Sequence, residues 1–401
     1  MGIPTSIKFE DHVKSNQITS VPLLDVGRGN DPLKQEFMDA FAGILETGRF
    51  IGGPHCQQLE QSVAEICDAQ FGMGCASGSD ALLLALMAIG IEPGDEVICP
   101  SFTFFATASA IDRLGGVPVF ADIEPGTFNI DPAHVESLVT DKTKAIIPVH
   151  LFGQCADMDA IMEIASRHNL RVIEDCAQSI GATWNDQPCG AIGDIGCFSF
   201  YPTKNLGGFG DGGMLSTNDA ELADRVRLLA NHGMRPRYYH SEVGINSRLD
   251  SIQAAMLGVK IRHLDSISRG RQQNAANYDR LFAESGLSHA VSTPVCDDRS
   301  GHVWNQYTVR IEGSLTRDEV RQQLADKNIG SEIYYPVPLH QQECFEKLGY
   351  QTGDLPETEK AAACVLSLPI FPELNLAEQG YVVKSLLSIL LEREPVIRRA
   401  A

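Results

Sequence analysis

The sequence predicts an α/β protein: a mostly parallel, doubly wound sheet followed by a smaller α+β domain. Three observations point to it. From about residue 60 to residue 217, short apolar runs alternate with helix-like stretches. The runs lack polar alternation, the mark of strands buried on both faces of a parallel sheet. Past Asp219 this rhythm gives way to charged, amphipathic helices. Size agrees, since 401 residues, 43% of them hydrophobic and 21% charged, suffice for about two to three domains with real cores.

The elements follow in order. Residues 81–89 (ALLLALMAI) form a buried helix. Strands are expected at 96–99 (EVIC), 118–121 (PVFA), 145–150 (AIIPVH), 171–175 (RVIED), 197–200 (CFSF) and 214–217 (MLST). Helices at 106–114, 132–138 and 158–168 separate the first four. Residues 221–230 read as an amphipathic helix, and one long helix is expected over 251–282, with Leu264, Ile267 and Tyr278 among its apolar positions. A strand at 306–311 (QYTVRI), a helix at 317–327 and a last helix from Ala377 complete the smaller domain. The chain thus divides into an N-terminal extension (1–30), a large α/β domain (31–250) and a small domain (251–401).

Composition narrows the function. With 32 Lys and Arg against 52 Asp and Glu, the net charge is −20. Such a surface repels nucleic-acid phosphates and anionic membranes, so neither is an expected partner. The apolar run 385–391 falls far short of the ~20 residues of a membrane span. The first residues carry no basic stretch followed by an apolar one, so a cytoplasmic location without a secretory signal is expected. Gly2 begins only a weak match to a myristoylation signal. The 11 cysteines are scattered without a CxxC spacing, which reads as reduced core cysteines rather than disulfides or a zinc site.

Three motifs carry chemistry. In 75–82 (CASGSDAL), Gly78 and Ser79 open the apolar helix. Free backbone N–H groups and a hydroxyl at a helix start suit a phosphate, though Ser77 or Ser79 also serves as an ordinary cap. In 174–179 (EDCAQS), Asp175 ends a buried strand. A carboxylate there needs a positive partner, either a structural arginine or a ligand. In 198–213 (FSFYPTKNLGGFGDGG), Lys204 projects from a glycine-rich turn. That turn precedes a strand, so it is neither a dinucleotide fingerprint nor a Walker loop. Alone, such a lysine is a solvated surface group. Together the three meet the needs of pyridoxal 5′-phosphate: an anion site for the phosphate, an acid to keep the ring nitrogen protonated, and a lysine to bind it covalently.

Further stretches point the same way: FIGGP (50–54), GDEVICPSFTFFATASAI (94–111), PVFADIEPGTFNID (118–131), IPVHLFGQCADMD (147–159), GINSRLDSIQAA (244–255) and YYPVPLH (334–340). With them the chain resembles the DegT/DnrJ/StrS family of nucleotide-sugar aminotransferases, from about Pro22 to Pro372. The resemblance implies the aspartate aminotransferase-like fold (PLP-dependent transferase type I). It implies that Lys204 holds the cofactor and moves a proton between the donor's α-carbon and the cofactor. Asp175 would pair with the ring nitrogen, Gln178 with the phenolic oxygen and Phe104 with the ring face. Gly78, Ser79 and Ser199 would hold the phosphate; the family usually has Thr at the Ser79 position. Asn246 matches a residue that reaches the neighbouring subunit's phosphate, which implies a homodimer with shared sites. Arg237 and Tyr238 match the substrate-facing loop, and His340 is expected to line the sugar-nucleotide pocket.

The implied reaction moves an amino group from an amino acid, L-glutamate, to a keto-sugar nucleotide, for amino sugars of surface polysaccharide or related glycoconjugates. GQCADMDAI with GINSRLDSIQAA is similar to enzymes of UDP-linked 2-acetamido-3-keto sugars, including the 3-keto uronic acid, whose carboxylate Arg237 would hold in two hydrogen bonds. A 4-keto-6-deoxy sugar nucleotide is the alternative substrate. The family's sugar dehydratases carry His where this chain has Lys204. A regulatory protein of the same fold would need neither Lys204 nor Asp175.

Overall fold

The computed structural model describes residues 18–391. Gly2, the first residues read for a secretory signal and much of the expected N-terminal extension lie outside the described residues.

Seven strands form the large sheet: β1 (Phe71–Cys75), β2 (Glu96–Pro100), β3 (Val117–Ala121), β4 (Thr143–Ile146), β5 (Arg171–Asp175), β6 (Ile195–Ser199) and β7 (Gly213–Thr217). Their order is β1-β7-β6-β5-β4-β2-β3. Pairing is parallel from β6 to β3, and β7 runs antiparallel to both β6 and β1. Successive residues of a strand feed opposite cores. Ile173 packs with the helix Gly78–Ile89 on one face, and Val172 packs with the helix Met158–His168 on the other. Burial on both faces explains the unbroken apolar runs of the sequence.

β1 (FGMGC) was not expected, because its two glycines hide the strand pattern. They have a packing cause: a Cβ on Gly72 would lie 2.3 Å from the Glu60 carbonyl oxygen of the helix Pro54–Ile66. That helix can approach β1 only where the side chain is missing.

The expected long helix is two, Ser251–Ile261 and Leu264–Ser285. The first buries Met256 and Val259 against Phe37 and Ile44. The second buries Ala275, Tyr278 and Phe282 in the core of a second sheet. One straight helix cannot present its apolar face to both, and the break at Arg262–His263 re-aims it. The second sheet, antiparallel, holds β8 (Val291–Ser292), β9 (Tyr307–Ile311) and β10 (Val365–Leu368) in that order. Val21 joins this part of the chain, since its N–H donates to the Asn328 carbonyl at 2.9 Å.

One expectation is overturned. Cys155 and Cys189 form a disulfide, both residues buried, and the other nine cysteines are free. The partners stand 34 residues apart and meet only because the turn after Leu151–Gly153 packs against the chain leaving Gln187–Pro188. No local spacing announces such a pair. Among the described residues, no helix is long and apolar enough to cross a membrane.

Candidate active site

The motif residues converge at one end of the sheet. Asp175 ends β5 and stands opposite Cys197 of β6. Ser199 ends β6 opposite Gly213, which in turn faces Cys75 at the end of β1. From Cys75 the chain turns through Ser77 into the helix Gly78–Ile89, and Ser77 Oγ accepts from the Asp80 N–H at 3.1 Å. Ser77, not Ser79, is therefore the cap. This leaves the Ser79 hydroxyl exposed and free of the capping role.

The approach at Gly78 is close. A Cβ there would sit 2.6 Å from Ser199 Cβ, so only glycine lets the helix start reach the end of β6. The result is a cradle of backbone N–H groups flanked by Ser199 and Ser79, at the positive end of a helix dipole. Its shape and donor chemistry fit a phosphate.

Asp175 is 5% exposed. Its Oδ2 accepts from Thr107 Oγ1 at 2.9 Å and its Oδ1 from the Ala177 N–H at 3.1 Å. Burial pushes its carboxyl up, while those two donors, then Lys204 and His150, pull it down. Among the described residues it makes no ion pair, so the structural-arginine alternative is not realised. A buried acid with this surplus of acceptor capacity fits a protonated ring nitrogen.

Lys204 is not a solvated loop residue. It is half-buried, and burial lowers its amine to about 8, with Asp175 pulling the other way. Its turn is fixed by the bond from the Lys204 N–H to the Tyr201 carbonyl at 2.9 Å and by Gly207, where a Cβ would meet the Pro202 carbonyl oxygen at 2.3 Å.

Gln178 is held in one orientation. Its Oε1 accepts from the Phe152 N–H at 2.6 Å, and its Nε2 donates to the Tyr335 hydroxyl at 3.3 Å. Phe152 stands at φ 60, a left-handed conformation uncommon for a bulky residue, so this turn is strained next to the site. Phe104 is 58% exposed, its ring 6.3 Å from that of Tyr335. A flat, open aromatic face three residues before Thr107, which touches Asp175, suits a stacked ring.

Other expected residues lie apart. Asn246 is exposed and pairs with Asn231 through a backbone bridge. Arg237 lies over the Tyr238 ring at 4.9 Å, and Tyr238 is 73% exposed. None of the three contacts Lys204 or Asp175 among the described residues. The His340 side chain is buried, with Nδ1 bonding Ser101 Oγ at 2.7 Å and Nε2 bonding Glu359 at 3.2 Å. With both ring nitrogens engaged, His340 ties the Ser101 loop to the helix Pro356–Cys364.

Three neighbours escaped the sequence reading. Thr107 and Tyr335 lie inside quoted stretches but show no pattern of their own. His150 is the third. The Ala156 N–H occupies its Nδ1, so Nε2 donates to Glu174 at 3.0 Å. Glu174 also accepts from the Gly190 and Gly193 N–H groups, each at 2.8 Å.

A protein-family model, the DegT/DnrJ/EryC1/StrS aminotransferase family, matches residues 31–387. The chain is 51% identical over 367 residues to a pleiotropic regulatory protein of Geobacillus stearothermophilus, covering 92% of this chain and 98% of that one. It is 46% identical over 359 residues to a UDP-N-acetyl-3-dehydro-α-D-glucosamine 3-aminotransferase of Acidithiobacillus ferrooxidans, covering 90% and 95%. In three dimensions it matches the solved structure of DesV from S. venezuelae at TM-score 0.89 and 41% identity, over 92% of this chain and 98% of that one. The fold is that of type I pyridoxal-phosphate aminotransferases, the activity is amino-group transfer, and the cofactor is pyridoxal 5′-phosphate. Along nearly its whole length, then, the chain belongs to the DegT/DnrJ/EryC1/StrS aminotransferase family.

Proposed function

We propose that the enzyme transfers the amino group of L-glutamate to a UDP-linked 2-acetamido-3-keto sugar, for an amino sugar of a surface glycoconjugate. The observation that carries the catalytic part is the half-buried Lys204 amine, lowered to about 8, next to a buried Asp175 that has no ion-pair partner among the described residues. The 46% identity to a 3-aminotransferase of such a sugar supports the substrate class.

In this reading Gly78, Ser79 and Ser199 hold the cofactor's phosphate, Phe104 covers its ring, Gln178 faces its phenolic oxygen and Asp175 its ring nitrogen. Lys204 is its covalent anchor. When bound, the cofactor supplies an electron sink that makes the donor's α-proton labile. Lys204 Nζ takes that proton, a task suited to an amine whose affinity lies near neutral pH. Asp175 holds a proton on the ring nitrogen facing it. The exposed Asn246 belongs to the partner subunit's site in a homodimer, and the boundaries at residues 30 and 250 mark the domains. Exposed Met38, Leu45, Phe50, Ile51 and Phe209 are the apolar surface that such a dimer would cover.

A second reading, a 3-keto uronic acid, draws support from Arg237. Its guanidinium is exposed and has no carboxylate partner among the described residues. The test converts the enzyme to its amino form with L-glutamate and adds three sugar nucleotides: the uncharged 3-keto sugar, its uronic acid, and a 4-keto-6-deoxy sugar. Recovery of the visible absorption with the uncharged 3-keto sugar supports the proposal; recovery with the 4-keto sugar alone rejects it. A preference for the acid that Arg237→Ala cancels, about 10- to 100-fold for one charged hydrogen bond, selects the second reading.

A further inference from the structure

Asp175 is reached by a hydrogen-bond chain that the functions above leave unused. Thr107 lies in the helix Ala106–Arg113, which packs against the sheet so that Thr107 Oγ1 comes 2.9 Å from Asp175 Oδ2. An ionised carboxylate can only accept, so the threonine donates. Its one hydroxyl hydrogen is then committed. Thr103 Oγ1, 3.3 Å from Thr107 Oγ1, must therefore donate to it. The direction is fixed: Thr103 to Thr107 to Asp175. Both threonines are buried, at 2% and 0% exposure, where no water competes for the hydroxyls.

The geometry decides how the carboxylate stands. Thr107 takes Oδ2 and the Ala177 N–H takes Oδ1, so the plane of the group is held from both sides. Both donors favour the ionised form against the burial that opposes it. The charged and titratable groups facing Asp175 are Lys204, His150, Tyr335, Cys99 and Cys197. Of these, only Lys204 and His150 are able to add positive charge, and neither makes an ion pair with Asp175 among the described residues.

We propose, resting on the role given to Asp175 above, that Thr107, oriented by Thr103, is the positioning residue that holds Asp175 turned toward the cofactor's ring nitrogen and, by donating to its carboxylate, favours the ionised form. Without the hydroxyl, Asp175 regains proton affinity and freedom to rotate. The ring nitrogen is then held protonated less firmly, and removal of the donor's α-proton slows.

The experiment compares Thr107→Val, Thr107→Ser, Thr103→Val and Asp175→Asn with the wild type. One readout is the single-turnover rate with L-glutamate. The other needs no cofactor: the melting temperature of the apoprotein between about pH 5 and about pH 8. A buried acid whose folded proton affinity is raised loses stability as pH climbs from its unfolded value through its folded one. Removing a donor raises that affinity further, so the deficit of Thr107→Val should widen with pH.

Thr107→Val is expected to slow the half-reaction about 10- to 100-fold, the worth of one charge-assisted hydrogen bond. Thr107→Ser should stay within about threefold of wild type, and Thr103→Val should show a smaller loss in the same direction. Wild-type behaviour of Thr107→Val overturns the inference. So does an equal loss in the serine variant with a deficit that ignores pH, since that is packing. Should the valine variant at 107 not fold, a wild-type rate and pH profile in Thr103→Val overturns it instead. A fast Asp175→Asn enzyme removes the Asp175 reading itself; a slow Asp175→Asn beside a fast Thr107→Val removes only this inference.

Discussion

At Lys204, burial lowers the amine to about 8 and Asp175 opposes the shift. A folded value below that of a free lysine means the fold disfavours the charged form. Stability from this group is therefore absent at pH 7 and recovered as pH rises from about 8 to about 10.5. The apoprotein of Lys204→Met should melt roughly 1–3 °C above wild type at pH 7, with the gap closing by about pH 10.5; a gap that is constant with pH contradicts the buried-amine account. Lys204→Ala should also lose the visible absorption of the lysine-bound cofactor and the half-reaction with L-glutamate. That Lys204 and Asp175 stand together was legible in the sequence, because the proposed chemistry demands one residue type at a strand end and one at a turn. Thr107 was not, since its contact with Asp175 exists only once the helix Ala106–Arg113 packs against the sheet. The burial of His340 was hidden for the same reason: its partners Ser101 and Glu359 lie 239 and 19 residues away.

Among the elements, the parallel strands were legible because burial on both faces leaves unbroken apolar runs. β1 was hidden by glycines that exist for the approach of a neighbouring helix, and the break at Arg262–His263 by two cores that no local pattern announces. The helix start at Gly78 gives a direct test of the phosphate cradle. Gly78→Ala places a methyl 2.6 Å from Ser199 Cβ, so the helix must withdraw from the end of β6. Cofactor affinity measured by equilibrium titration should fall about 10-fold or more, the cost of one to two charged hydrogen bonds. The bulk of the fold should persist, because the clash sits at a sheet end. Unchanged affinity would show that the phosphate binds elsewhere.

The whole molecule brings Asp175 and Lys204 together in one chain but leaves Asn246, Arg237 and Tyr238 exposed and apart from them. If these reach a partner's site, mixing Asn246→Ala chains with Lys204→Ala chains should yield hybrid dimers with one doubly damaged site and one intact one. Activity should recover toward about a quarter of wild type, since random pairing of equal amounts makes half the dimers hybrid and each hybrid has one working site of two. No recovery, or full activity of a monomer in sedimentation, contradicts shared sites. The central claim is amino transfer to a 3-keto sugar nucleotide through Lys204, and the most direct measurement is a spectral cycle on the purified holoenzyme. L-glutamate should abolish the visible absorption of the lysine-bound cofactor, and the UDP-linked 2-acetamido-3-keto sugar should restore it while yielding the 3-amino sugar. A spectrum that L-glutamate changes but no 3-keto sugar nucleotide restores would contradict the account.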